Sequence, residues 1–180
     1  MFMHPLGGAA RYFTGKQQSK SPPGASEMEG LDETDRRIIE VLMADARTSL
    51  RGIAEQVGVA LGTVSNRVRR MENSGVIQGY GVRLDPTKIG WSMTVLCGLR
   101  IQKGRLMELQ NQIADDPRVF GIYDVTGEFD SMVLARVRDR ADLDNLSKTV
   151  LSVEGILRTV THVVLNSVKE EGVSLPPDDW

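Results

Sequence analysis

Residues 61–73, Leu-Gly-Thr-Val-Ser-Asn-Arg-Val-Arg-Arg-Met-Glu-Asn, gather three arginines among short polar side chains. Val64, Val68 and Met71 recur at helical spacing and define a buried face at about 100° per residue. Gly62, Asn66 and Arg69 then lie opposite, flanked by Thr63, Ser65 and Arg70. Arg67 sits nearer the buried edge and depends on its long stem for reach. Such a face suits a nucleic-acid duplex, because Asn can pair bidentately with adenine and Arg with guanine or phosphate. Arg51, upstream of this helix, completes the candidate DNA-contacting set. A merely solvated helix face has a similar composition, so the surrounding elements must decide between the two.

A second locus is Thr126-Gly127-Glu128-Phe129-Asp130. On spacing alone it is a hairpin turn: Gly127 permits unusual dihedral angles and Asp130 can bond nearby backbone. A small zwitterion, however, needs backbone N–H groups for its carboxylate and an acceptor for its ammonium. A glycine-containing loop with two carboxylates supplies both.

Other chemistry is sparse. The single cysteine, Cys97, excludes an internal disulfide framework and is most simply a buried small hydrophobe. With two histidines it makes three soft ligands, too few for a typical closed structural zinc site. No metal, cofactor or catalytic residue is assigned. His162 lies on a strand out of phase with Thr161, where a lone histidine is more often a surface or interface residue.

Three helices position the arginine-rich face. Leu31, Ile38, Ile39, Val41 and Leu42 form the stripe of the first, with Asp32, Glu33 and Asp35 in its opening turn. Asp45-Ala46-Arg47-Thr48 breaks it. A second short helix buries Leu50, Ile53, Ala54 and Val57 and ends at Gly58, and the third runs from 61 to 73 and ends near Gly75. Both glycines are expected as left-handed caps. The last two helices spell a helix-turn-helix. Near Ala60 no side chain can cap the third helix, at a cost of about 1 kcal/mol.

Residues 76–84 read as β-like, and Asp85-Pro86 punctuates a linker over 81–90. Over residues 91–168 the order is strand 91–101, helix 105–114, strand 119–126, loop 127–130, strand 131–137, helix 142–151 and strand 156–168. This β-α-β-β-α-β order is that of a ferredoxin-like sandwich, with two helices on one face of an antiparallel sheet. Val95, Leu99, Val133, Ala135, Val160 and Val164 are read as apolar strand surface beyond what two helices cover, which suggests sheet-to-sheet association. Trp91 is expected to anchor the hinge side.

Residues 1–30 carry small, polar and helix-breaking residues without a sustained period and are expected to be a disordered leader. They do not resemble a signal peptide, and Met28 offers an alternative start. Residues 169–180 are expected to be an acidic tail.

Overall balance narrows the class. Lys plus Arg number 22 and Asp plus Glu 24, a net charge of -2, so a wholly basic coat for nucleic acid or membrane is excluded. The longest apolar runs, such as 132–135, are too short to span a bilayer. Residues 31–80 hold seven basic and seven acidic side chains, so a single copy should bind DNA feebly. Two copies on one palindromic site would remedy that, which predicts at least a homodimer.

Leu31-Asp32-Glu33-Thr34-Asp35, Asp45-Ala46-Arg47, Arg67-Val68-Arg69-Arg70-Met71-Glu72 and Gly75-Val76-Ile77-Gln78-Gly79-Tyr80 together resemble the Lrp/AsnC family of transcription regulators. Val125-Thr126-Gly127-Glu128-Phe129-Asp130 resembles that family's glycine-acidic-aromatic-aspartate loop. Gly155-Ile156 through Thr159, Thr161, Val164 and Val168-Lys169 resembles its final strand. The likeness runs from about residue 31 to 169 in the family's order. It implies an α+β chain with an N-terminal winged helix-turn-helix domain (31–80) and a C-terminal ferredoxin-like, RAM-type domain (91–168) for ligand sensing and oligomerisation.

The resemblance also implies a cytoplasmic, nucleoid-associated regulator that binds double-stranded DNA and an amino-acid-like effector, in dimers that assemble further, commonly to octamers. By the same resemblance, effector binding falls on Thr126, Gly127, Glu128, Phe129 and Asp130, with Thr159 and Thr161 opposite. Two other readings share this outline. One is a sensor or scaffold without DNA binding. The other is a tetrapyrrole decarboxylase-like enzyme, for which the second domain offers only His162 and Tyr123.

Overall fold

The computed structural model describes residues 30–176. The expected leader, all but Gly30, and the last four residues of the tail lie outside the described residues. The chain divides into two compact units between Tyr80 and Gly81, and the 81–90 segment belongs with the second.

In the first unit, helix α1 spans Glu33–Ala44, α2 Leu50–Val57 and α3 Leu61–Asn73. Asp32 caps α1 by accepting from the Asp35 N–H at 2.9 Å, and Asp35 returns a bond from the Asp32 N–H at 3.2 Å. This reciprocal box satisfies two amide donors that the helix itself cannot. Ser49 caps α2 through the Gly52 N–H at 3.1 Å. Gly58 and Gly75 do adopt left-handed conformations, with φ of 79° and 76°. Ile38, Ile53, Val64 and Met71 are buried at the centre, with Val57 and Val68 around them. Each such side chain contributes about 1.5–3 kcal/mol of burial. That outweighs the missing cap on α3, where Ala60 makes no side-chain bond.

Residues 76–84 form no strand, contrary to their β-like pattern. The Ile77 N–H bonds the Met71 carbonyl at 3.0 Å, but the segment has no ladder partner among the described residues, and Val82 is 85% exposed. β propensity expresses fit to a pleated, half-buried surface, and none is present here.

In the second unit, β1 spans Met93–Ile101, α4 Leu106–Ala114, β2 Val119–Asp124, β3 Ser131–Val137, α5 Arg140–Thr149 and β4 Ile156–Val163. The sheet runs β2-β3-β1-β4, and all its pairings are antiparallel. Helix α5 starts earlier than the sequence suggests because Asp139 caps it through the Asp142 N–H at 2.8 Å. Strand β4 stops at Val163 rather than at 168. Val95 pairs with Val163 and the Val164 N–H reaches the Thr94 carbonyl, so β1 has almost no further backbone to offer.

The two faces of the sheet differ sharply. Val95, Cys97, Leu99, Val133, Ala135 and Val137 are buried in one core with Leu109, Ile113, Leu146 and Leu151. The expectation that Val95, Leu99, Val133 and Ala135 supply surplus surface is therefore corrected: all four face the helices. By alternation and register the other face presents Leu96, Met132, Leu134 and Val160, with Tyr123 more than half exposed. An apolar surplus exists: Val160 lies on it as expected, and on β1 and β3 it is displaced by one residue from the one read in the sequence. Cys97 is buried as expected, and burial pushes its thiol pKa up.

Candidate nucleic-acid interface and ligand loop

Helix α3 divides its arginines between two neighbourhoods. Arg67 Nη1 donates to Asp35 Oδ1 at 3.0 Å and to Asp32, while Arg70 pairs with the other oxygen of Asp35. The Asp35 side chain is wholly buried, so one carboxylate at the start of α1 holds two guanidinium groups of α3. Hydrogen bonding from Arg67, followed by the backbone N–H of Asp35, holds the Asp32 carboxyl below its usual range and raises Arg67 in turn. This clamp fixes the rotation of α3 about its axis.

Arg69 is different. It is exposed and has no ion-pair partner among the described residues. Asn66 and Gly62 share its outward face, and Thr63 and Ser65 are half-buried on the flanks. Arg69 and Ser65 border an open groove of about 420 Å³ whose opposite wall includes Thr48, Ser49 and Tyr80. Tyr80 is positioned by its hydroxyl, which donates to Glu72 at 3.0 Å. Arg51 stands exposed on α2 beside Glu55 at 3.5 Å. The predicted set is thus brought to one side of the helix pair for Gly62, Asn66 and Arg69, while Arg67 and Arg70 are drawn toward α1. Sequence reasoning placed Arg67 near the buried edge but missed Asp35 as its anchor.

The loop after β2 is folded back on the outer face of the sheet. Gly127 takes φ of 114°, a conformation that side chains with a Cβ rarely adopt. The Asp130 N–H bonds the Leu99 carbonyl at 2.9 Å, and its Oδ2 accepts from the Ile101 N–H at 2.8 Å. Phe129 then lies flat over Gly98, so close that a Cβ there would stand 2.6 Å from the ring. Two arginines clasp the loop. Arg100 Nη1 donates to the Glu128 carbonyl at 2.8 Å, and Arg158 Nη1 lies 3.3 Å from the Glu128 carboxylate. Neither was singled out from sequence, although both occupy outward strand positions. Their register against each other, Arg100 opposite Arg158, is what brings them together.

Thr159 and Thr161 do not join this group. Opposite Leu99 and Cys97 they point to the helix side, and their hydroxyls donate to the Leu151 carbonyl at 2.8 Å and the Cys97 sulfur at 3.6 Å. Thr126, Gly127 and Glu128 are exposed, and Phe129 and Asp130 half-buried. His162 and Tyr123, the pair an enzymatic reading would need, stand on opposite edge strands, about 14 Å apart by three strand spacings. Among the described residues no group of His, Cys, Asp and Glu could hold a metal ion, and no helix is long and apolar enough to cross a membrane.

A three-helix unit with an exposed polar face on its last helix, followed by a four-stranded α+β unit with an open loop, defines a helix-turn-helix regulator carrying a separate ligand-binding domain. Comparison with known proteins supports both parts. Residues 31–78 match a winged helix-turn-helix DNA-binding model, and residues 94–174 match the Lrp/AsnC ligand binding domain. An uncharacterised HTH-type transcriptional regulator of Pyrococcus horikoshii is 46% identical over 141 residues, covering 78% of this chain and 95% of that protein. The regulator LrpA of the same organism is 30% identical over 140 residues, covering 77% and 99%. Among solved structures, the feast or famine regulatory protein of M. tuberculosis complexed with L-methionine aligns with TM-score 0.74 at 27% identity, covering 82% of this chain and all of that one. The chain belongs to the Lrp/AsnC family of transcriptional regulators.

Proposed function

We propose that this regulator reads a palindromic operator as a homodimer or larger assembly, and that a small amino-acid-like effector bound at the 126–130 loop shifts its DNA affinity. The observation that carries the DNA part is the position of Arg69. It stands free and outward on a helix whose other two arginines are fixed by Asp35. Asn66 and Arg69 contact base edges, Gly62 allows close approach, and Thr63, Ser65 and Arg51 contact phosphate. Arg67 and Arg70 act first as positioning residues, with the half-exposed Arg70 also within reach of the backbone. The uncapped start of α3, free of acidic residues in its first turn, leaves amide donors for a phosphate.

For the effector, Arg100 and Arg158 take the ligand carboxylate, and Asp130 and Glu128 the ammonium. The L-methionine complex of the relative from M. tuberculosis supports an amino acid as the ligand class. Thr159 and Thr161 support β4 from beneath rather than touching the ligand. The apolar part of the outer face, around Leu96, Met132 and Val160 and short of the strand end at Arg136, joins two copies, and further association of dimers, to an octamer, brings loops together.

The test is fluorescence-anisotropy titration of the full chain with DNA from upstream of its own gene, with and without a pool of the twenty amino acids, at two salt concentrations. Specific binding that weakens steeply with salt and shifts with the pool is the expected result. Affinity no better than for random DNA would overturn the reading.

A further inference from the structure

We propose that the outer face of the sheet carries a second site, a dicarboxylate-binding site at the end away from the 126–130 loop, which the chain occupies with its own Glu170. The site begins with Arg136, an outward side chain next along β3 from Leu134 and opposite Thr94 of β1. It lies five residues along β3 from Ser131, roughly 17 Å from where the loop ends. The Arg136 guanidinium stacks on Phe120, 4.1 Å from the ring centre, so the aromatic face fixes its plane. Its Nε is buried and is the one such side-chain nitrogen or oxygen among the described residues without a hydrogen-bond partner. Buried donors are rarely left so. The group is built to give more hydrogen bonds than it now makes.

Glu170 is the carboxylate that meets it, through Nη2 of Arg136. Arg83 approaches the same residue from the other side, with Nη2 3.5 Å from the Glu170 main-chain carbonyl. Glu171 is turned to Lys169 at 3.1 Å. One guanidinium group therefore meets the Glu170 carboxylate and the other its neutral main-chain carbonyl, so a second anionic oxygen is missing where that carbonyl now stands. The two arginines are bridged by one glutamyl unit, from carbonyl carbon to side-chain carboxylate. A free five-carbon dicarboxylate has the same span and puts a full charge at each end. A charged hydrogen bond is stronger than the neutral one it replaces. The adjoining cavity, about 400 Å³ and bordered by Leu84, Pro86 and Gly172, falls within the usual range for small-ligand pockets, about 300–1,000 Å³. Leu84 and Pro86 offer apolar surface for the methylene chain.

Glu170 is thus a tethered competitor. A dicarboxylate gains access by displacing it, which releases the C-terminal segment from the sheet. Isothermal titration calorimetry of the full chain with glutarate at constant ionic strength tests this, with acetate as the single-carboxylate comparison. Glu170→Gln removes the competitor's charge and should tighten glutarate binding about ten-fold or more. Arg83→Gln, at an exposed position, should weaken glutarate about five-fold or more while leaving acetate unchanged. Arg136→Gln should abolish both, and circular dichroism of that variant confirms its fold. Glutarate binding that is absent from Glu170→Gln, or that is insensitive to both Glu170→Gln and Arg83→Gln, overturns the site.

Discussion

Two arginine–carboxylate contacts, one in each unit, stand under opposite conditions of burial. At the α1–α3 contact the shared carboxylate, Asp35, is wholly buried, whereas the Arg158–Glu128 pair at the loop has both side chains more than 60% exposed. A buried carboxylate cannot lose its partners without remaining unsolvated, so the first arrangement is a fixed brace. An exposed pair trades almost evenly with water and can be remade around a ligand. In the proposed function one unit presents a rigid reading face. The other holds a loop that is positioned by backbone bonds and Phe129 but can exchange its outer charges.

The brace should be the easiest part of this contrast to break. Asp35→Asn removes the charge that satisfies Arg67 and Arg70 and disturbs the α1 cap, and should destabilise the first unit by about 2–3 kcal/mol. Urea denaturation followed by circular dichroism checks it. A loss below 0.5 kcal/mol would place the brace among ordinary surface pairs, by the roughly 0–1 kcal/mol range of such pairs. At the loop, Gly98→Ala sets a methyl group against the Phe129 ring and should cost about 1–3 kcal/mol as overpacking, with loss of the effector response. Differential scanning calorimetry with and without the amino-acid pool measures both. Glu128→Gln sharpens the comparison from the other side. It should change stability by less than about 0.5 kcal/mol while altering the effector response.

Acid should act on the brace through Asp32. Its folded carboxyl sits below the ordinary value of 3.8 because Arg67 and the Asp35 N–H bond its charged form. The unfolded state therefore binds the proton more readily, so this stabilisation is complete above 3.8 and is lost as pH falls through the lowered folded value. Melting temperatures between pH 6 and 2 should fall less steeply in Asp32→Asn than in the parent. Asp116 follows the same sign in the sheet unit, held low first by its bond from Arg118.

Local pattern carried much of this architecture. The spacing of Val64, Val68 and Met71, the glycines at 58 and 75 and the alternation along β3 can each be read within a few residues. The rest depended on pairing between distant residues. Asp35 and Arg67 lie far apart in sequence, and nothing near α3 reveals which carboxylate takes its arginines. The outer face was displaced because the apolar run of β1 allows either set of alternate residues to face the helices. Only the packing of Leu109, Ile113 and Leu146 selects one. The family resemblance places Thr159 and Thr161 opposite the loop, but the register of β4 against β1 turns them away from it. The strand read at 76–84 failed for a related reason, since a ladder needs a partner that local sequence cannot supply.

Arg69 is proposed to read DNA from a helix held in place by Asp35. That role is tested most directly by anisotropy titration of Arg69→Ala against DNA from upstream of the gene, with the assembly state checked by sedimentation. Affinity should fall about ten-fold or more, as expected for loss of a 1–3 kcal/mol base contact, with assembly unchanged. Undiminished affinity would remove Arg69 from the reading face and contradict the account.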